Sequence, residues 1–156
     1  MNKIYEEKQR SSMLVIAVFL VGAVIFLGIA YGAWFTEQDS ISETAPKVIL
    51  TIVAIIFFCF FKFFSSLQID LTDQQLRFGF GPMRATINKG EVKEVSIQKF
   101  EFTNYMGYGI RLGRDKTWGY VAGGSRGIKI VTTGKNYFFT TDNPEQLASL
   151  IKSYLI

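Results

Sequence analysis

Apolar residues are concentrated in two runs near the N-terminus of this chain. The first, Met13–Phe35, has 23 residues and no charge. As a helix it is about 35 Å long at about 1.5 Å per residue, enough to cross a hydrocarbon core about 30 Å thick. The second, residues 48–66, carries one charge at Lys62, whose ammonium reaches the headgroup level on a long side chain. The pattern predicts a hairpin of two transmembrane helices.

The charges around these runs predict an orientation. Residues 36–47 contain three acidic residues and one basic residue, whereas Lys and Arg occur at the opposite ends of the runs, in residues 1–12 and at Lys62. Basic residues accumulate on the cytoplasmic side of membrane proteins. We therefore expect a multi-pass protein of the cell (inner) membrane with both termini cytoplasmic. Residues 1–12 are then a cytoplasmic tail, and residues 36–47 an extracytoplasmic loop.

Small residues in the first run suggest where helices pack closely. Gly28 and Gly32 have the GxxxG spacing of close helix contacts, and Gly22 offers a further small surface. The spacing is compatible with closure of the hairpin or with self-association. We expect a homo-oligomer or a membrane-protein partner.

From residue 67 the hydrophobic period changes to two. Leu67, Ile69 and Leu71 alternate with polar residues, and similar short runs follow, separated by turns that contain glycine. After Asn143 the period becomes helical, and the expected buried face consists of Leu147, Leu150, Ile151 and Tyr154. The pattern predicts about seven antiparallel strands in a bent sheet or partly open barrel over residues 67–156, capped by a C-terminal helix.

Composition excludes several classes of chemistry. The chain has no histidine and a single cysteine, Cys59, so a Ser-His-Asp triad, a Cys-His pair and the common zinc sites are ruled out. The net charge of +4 comes from interspersed residues and not from a basic arm or helix. We expect no catalytic residue, no cofactor, no metal and no nucleic-acid partner.

One segment after the middle of the chain is rich in aromatic and basic residues. Five of the nine residues from 100 to 108 are aromatic or Met. The segment either packs over the edge of the sheet or forms a surface for a protein partner or for anionic headgroups. The candidate surface residues are Tyr105, Arg111, Arg114, Lys116, Trp118 and Arg126.

Two stretches carry a family resemblance, NYMGYGIRLG and WGYVAGGSRGIKIVTTGKNYFFTTDNPEQLASLI. Their GIR motif, Trp-containing strand, glycine hairpin and DNPEQL helix start follow in the order found in bacterial pleckstrin-homology-like (PH-like) proteins, which the chain resembles over residues 67–155. The resemblance implies a PH-like binding or assembly module, often membrane-anchored. The first hairpin, LTDQQLRF, lacks the clustered Lys and Arg of phosphoinositide-binding members.

These observations favour a non-enzymatic membrane-anchored adaptor or scaffold that binds protein partners or, weakly, anionic lipid. The alternative is a regulatory or accessory subunit of a membrane enzyme or transporter complex. Neither apolar run has a carboxylate that marks a substrate path, which argues against transport by a single copy.

Overall fold

The computed structural model describes residues 2–35 and 41–156, and it divides into two compact units. One unit joins residues 2–12 to residues 64–156, and the other comprises residues 13–63. Residues 36–40, within the expected extracytoplasmic loop, lie outside the described residues. The described chain thus has two long apolar helices and a mainly-β unit with two sheets and a C-terminal helix, as the hydrophobic pattern predicts.

The helical unit consists of α1 (Met13–Phe35) and α2 (Ile41–Phe64), both long and apolar enough to cross a membrane. The two helices contact each other through aromatic and small residues. A Cβ at Gly22 would lie 2.8 Å from the ring of Phe57, and the Phe57 and Phe26 rings have centroids 5.1 Å apart. A Cβ at Gly28 would meet no other heavy atom within 4 Å. Close packing within the hairpin therefore occurs at Gly22.

The second helix begins earlier than the expected residue 48. Residues 41–47 belong to the expected extracytoplasmic loop and include the polar residues Ser42, Glu43, Thr44 and Lys47, but their backbone is helical. The first turn of a helix tolerates polar residues because its N–H groups have no intrahelical partner. The helix ends at Phe64, and the next strand begins at Ser66.

The N-terminal residues form a strand, so the expectation of a tail at residues 1–12 is wrong. Strand β1 (Lys3–Arg10) pairs antiparallel with β2 (Ser66–Thr72), with Arg10 opposite Ser66. Its apolar residues, Ile4 and Tyr5, are adjacent and do not alternate, so a period-two pattern gives no sign of it. The first sheet has the order β1-β2-β3-β4, where β3 is Gln75–Phe80 and β4 is Met83–Asn88.

The second sheet has five strands in the order β5-β8-β9-β7-β6. Strand β9 lies between β8 and β7. It is antiparallel to β8 and parallel to β7. The prediction of antiparallel pairing throughout is therefore wrong at this one pair, because strand order cannot be read from alternation. Eight strands follow the helices where about seven were expected. The bounds are β5 Val92–Lys99, β6 Gly109–Leu112, β7 Trp118–Val121, β8 Arg126–Thr132 and β9 Tyr137–Thr140.

The main core contains residues of both sheets and of α4 (Pro144–Leu155). Phe78 of the first sheet stacks on Phe139 of the second, with ring centroids 4.5 Å apart. Of the expected helix face, Leu147 and Ile151 are fully buried, whereas Leu150 is half-buried and Tyr154 is 40% exposed. Leu155 and Ala148 complete the buried face, so the buried face of α4 is rotated slightly from the expected face.

Strand β1 also connects the first sheet to the second through its polar side chains. Gln9, which is 4% exposed, donates to the Asp142 carboxylate at 2.8 Å and accepts from the Thr140 hydroxyl at 2.7 Å. Glu7 accepts from the backbone N–H of Asp142 and from the Thr141 hydroxyl. Satisfied polar groups of this kind stabilise, whereas a buried orphan would cost about 1–3 kcal/mol. The N-terminal residues are therefore an integral part of the β unit.

Candidate binding groove

Residues 100–108 form an aromatic flap over the outer face of the second sheet. The flap includes the short helix α3 (Phe102–Tyr105). Tyr105 is 5% exposed, and its ring stacks on Phe138 and on Phe100 with centroid distances of 5.2 and 6.1 Å. With Val121 these side chains make a second, smaller core. Of the two interpretations of this segment, packing over the sheet accounts for Tyr105.

A glycine in the sheet provides the space for this packing. A Cβ on Gly119 would lie 2.6 Å from the Tyr105 ring, closer than any relaxed contact. The chain then turns back towards β6 at Met106 and Gly107, which have φ values of 53° and 138°. Positive φ is costly for most residues and inexpensive for glycine. The flap is therefore held by a glycine beneath Tyr105 and by a left-handed turn after it.

A groove of about 570 Å³ runs between the flap, strands β5 and β8, and the β6–β7 loop. Aromatic rings form part of its wall, and most of the remaining lining is polar. Its charged residues are three cations and two carboxylates, a surplus of one positive charge. The lining comprises Gln98, Lys99, Glu101, Thr103, Asn104, Tyr105, Arg114, Asp115, Lys129 and Phe138.

Asp115 is the most highly connected polar residue of the groove. Its carboxylate accepts from the Lys129 ammonium at 2.8 Å, from the Thr117 hydroxyl at 2.9 Å and from the Asn104 amide at 3.2 Å. Burial raises the pKa of Asp115, but these donors outweigh burial and lower that pKa to about 2. The cluster thus links the flap, the β6–β7 loop and β8.

Neither Asp115 nor Tyr105 is suited to proton transfer at neutral pH. A carboxylate with a pKa of about 2 is a weak general base, because catalysis favours a pKa near the working pH. Burial raises the pKa of Tyr105 far above its usual value, and the negative charges of Asp115 and Glu101 add to that effect. The arrangement is suited to binding polar groups.

Two of the predicted aromatic surface residues are turned inwards. Tyr105 belongs to the core beneath the flap, and Trp118 is half-buried and packs against the main core on the inner face of the sheet. In an alternating strand, a residue's parity relative to its neighbours decides which face it occupies. Trp118 and Tyr120 share a face because they are two residues apart, but the sequence does not indicate which face, because Gly119 between them leaves no polar residue to mark the outer one.

The structure separates one of the four predicted basic residues, Arg126, from the other three. Arg114 and Lys116 lie in the β6–β7 loop, and Arg111 precedes it on β6, with its Nε donating to the Tyr108 carbonyl at 3.1 Å. Arg126 is the first residue of β8 and precedes Ile130 by four residues. Ile130 is opposite Tyr137 of β9, which is in turn opposite Trp118 at the end of the β6–β7 loop. At about 3.3 Å per residue, Arg126 is about 13 Å from the loop along the sheet. Its guanidinium pairs with Glu145 at 2.5 Å.

Sequence reasoning missed two cations of the groove. Lys99 ends β5, and Lys129 lies on the outer face of β8 between the fully buried Ile128 and Ile130. The alternation of Lys129 with two isoleucines was a usable signal, because it places the lysine opposite the core. Nothing in the sequence indicates that Asp115 accepts from Lys129, since that contact depends on how the β6–β7 loop folds over the sheet.

The contact between Tyr105 and Gly119 gives a direct test of how the flap packs on the sheet. Gly119→Ala should destabilise the protein by about 1–3 kcal/mol, because the new methyl group overlaps the Tyr105 ring. Gly134→Ala is the matched control, since a Cβ there meets no heavy atom within 4 Å. Denaturant unfolding of both variants measures the difference. Equal stability of the two variants would show that the flap does not rest on Gly119.

No protein-family model, curated protein or solved structure matches this chain.

Proposed function

We propose that this protein is a non-enzymatic adaptor or scaffold module, PH-like in fold, that is anchored in a membrane by its two helices. The β unit uses the groove beneath the flap to bind a polar or acidic segment of a protein partner. The observation that carries the proposal is the pairing of β1 with β2, the strands directly before α1 and directly after α2.

The β1–β2 pair supports a hairpin anchor. The backbone N–H of Ser11 donates to the Ser65 carbonyl at 3.0 Å, so the chain leaves the sheet and returns to it at neighbouring positions. Two apolar helices inserted between neighbouring residues must cross a bilayer an even number of times. Both flanking segments are then on one side, and the acidic composition of residues 36–47 favours the cytoplasm for that side.

The chemistry of the groove supports binding over catalysis. The carboxylate of Asp115 is paired with the Lys129 ammonium, and Tyr105 is buried. Gln98, Thr103 and Asn104 supply hydrogen-bonding groups, while Lys99 and Arg114 supply positive charge. Anchoring confines the groove near other membrane proteins, so a modest intrinsic affinity is sufficient at a high effective concentration.

Two further expectations remain part of the proposal. The two sheets with a C-terminal helix are compatible with a PH-like domain. Homo-oligomer formation stays a prediction. Weak binding of anionic lipid by Arg111, Arg114, Lys116 and Arg126 also stays a prediction, and Arg126 would contribute to it apart from the other three, since it pairs with Glu145.

The membrane orientation predicts a labelling pattern. In a Cys59→Ser background, a cysteine replacing Ser40 should react with an impermeant maleimide in intact cells, and one replacing Ser153 should react only after the cells are opened. Residue 153 belongs to the β unit, and residue 40 lies between the helices. Labelling of residue 153 but not residue 40 in intact cells would reverse the orientation.

The binding role predicts a site-specific contact in the native membrane. A photo-crosslinking amino acid at Thr103, in the groove, should give discrete adducts, whereas the same residue at exposed Thr133 in the β8–β9 turn should not. Arg114→Glu should weaken the Thr103 adducts, because it places a negative charge on the groove. If neither position gives an adduct, or both give the same ones, the groove is not the binding site.

A further inference from the structure

We propose that the second sheet is extended by strand addition at β5. An extended, acidic segment of a protein partner pairs with the outer edge of β5 and directs its acidic side chains towards the groove. The inference deepens the proposed function and rests on it, since it states how the groove holds its partner. The contact involves residues of the β unit alone.

Strand β5 is an edge strand whose second half is regular and exposed. It is the outermost strand of the second sheet and pairs there only with β8. The register shifts between Val92 and Glu94, and it is regular from Glu94 to Lys99. Residues 97–99 are exposed. An unpaired row of N–H and C=O groups on such an edge is a template for pairing with another chain.

The hydrogen bonds to β8 show which backbone groups of β5 face outwards. The N–H of Phe100 donates to the Ser125 carbonyl at 2.8 Å, which continues the β5–β8 register. In an antiparallel ladder, residues that bond to the partner strand alternate with residues that do not. The N–H and C=O groups of the alternate residues therefore point away from β8, and in the described part of the chain no hydrogen bond reaches them. These residues are Val95, Ile97 and Lys99.

The other edge strands offer less to a partner. In β4 the N–H of Arg84 already donates to the Pro82 carbonyl at 3.2 Å. The N–H of Asn88, at the end of the same strand, donates to the Glu91 carboxylate at 2.9 Å. Strand β6 has only four residues, and no residue of β1 lines the groove. Only β5 combines a regular outer edge with the groove beside it.

The groove sets the chemistry of the added segment. Lys99 and Arg114 line it, and neither forms an ion pair with another described residue. The third cation of the lining, Lys129, is already paired with Asp115. Glu101 is a carboxylate of the lining that likewise has no ion pair within the described chain, so the unpaired charges sum to one positive charge. An acidic segment neutralises this surplus, whereas a basic segment adds to it.

Proline at residue 97 tests the outer edge without entering the groove. It removes an outward N–H and leaves the ladder to β8 intact, a position in which edge strands tolerate proline. The Ile97 side chain is opposite the fully buried Ile128, on the face of the sheet away from the groove. Ile97→Ala is the matched control, because it shortens the same side chain and keeps the N–H.

Unfolding by denaturant checks that the edge is read correctly. Gln98→Pro removes an N–H that faces β8, so it should lower the unfolding midpoint. Ile97→Pro should unfold close to Ile97→Ala. Equal destabilisation by the two prolines would show that residue 97 bonds to β8, and the proposal would be overturned.

The photo-crosslink at Thr103, in the full chain and in native membranes, reports partner binding. Ile97→Pro should abolish the adducts, and Ile97→Ala should retain them. Adducts that persist with Ile97→Pro overturn strand addition and leave the groove as the binding site. Absence of adducts in the chain without either change overturns the proposed function, and strand addition with it.

A synthetic peptide gives a second measurement that needs no variant. A short peptide of alternating Glu and Thr, added to the full chain in a bilayer, should slow hydrogen–deuterium exchange at the amides of Ile97 and Lys99. The amide of Ile110 on the β6 edge also faces outwards, since Gly113 donates to Thr117, and it should keep its rate. The same peptide with Lys in place of Glu should slow none of them. Unchanged exchange at both β5 amides contradicts the proposal.

Discussion

The main-chain pairing of β1 with β2 is the interaction on which the rest of this structure depends. It closes the chain on itself around the two helices, with Ser11 bonded to Ser65. Without this pairing, only the covalent connection after α2 would join the helical segment to the first sheet. With it, both ends of the helical segment are fixed to one sheet. The same strand brings Glu7 and Gln9 to Thr140, Thr141 and Asp142, and so connects the first sheet to the second.

The groove depends on a different constraint, the packing of the flap against the second sheet. Tyr105 covers Gly119 and stacks on Phe138, which brings Asn104 within 3.2 Å of Asp115. The carboxylate then gathers donors from three parts of the chain, and the remaining cations and amides are left to line an open polar surface. A surface held by packed rings and a saturated carboxylate is preorganised, and the partner binding proposed for it would therefore cost less entropy.

How much of the fold could be predicted from the sequence depends on what each sequence pattern encodes. The 23 residues of α1 form one apolar run without a charge, so this helix could be predicted with its bounds. The terminal helix was predicted because Leu147 and Ile151 repeat at helical spacing. Strand β1 could not be predicted in this way. It is held by backbone pairing and by polar contacts with residues more than 130 positions away in the chain, such as the contact between Gln9 and Asp142. The parallel β7–β9 pair and the burial of Tyr105 likewise depend on tertiary order, which local alternation does not record.

Hydrogen–deuterium exchange of the full chain in a lipid bilayer tests the central claim most directly. The amides of Lys3–Arg10 that face β2 should be protected to the same degree as those of β2 and β3, because all three strands belong to one sheet. The outward-facing amides of β1 should exchange quickly, since it is an edge strand. If every amide of residues 3–10 exchanges at the rate of an unfolded peptide while β2 and β3 stay protected, the N-terminal residues are a tail, and the account of the anchor is wrong.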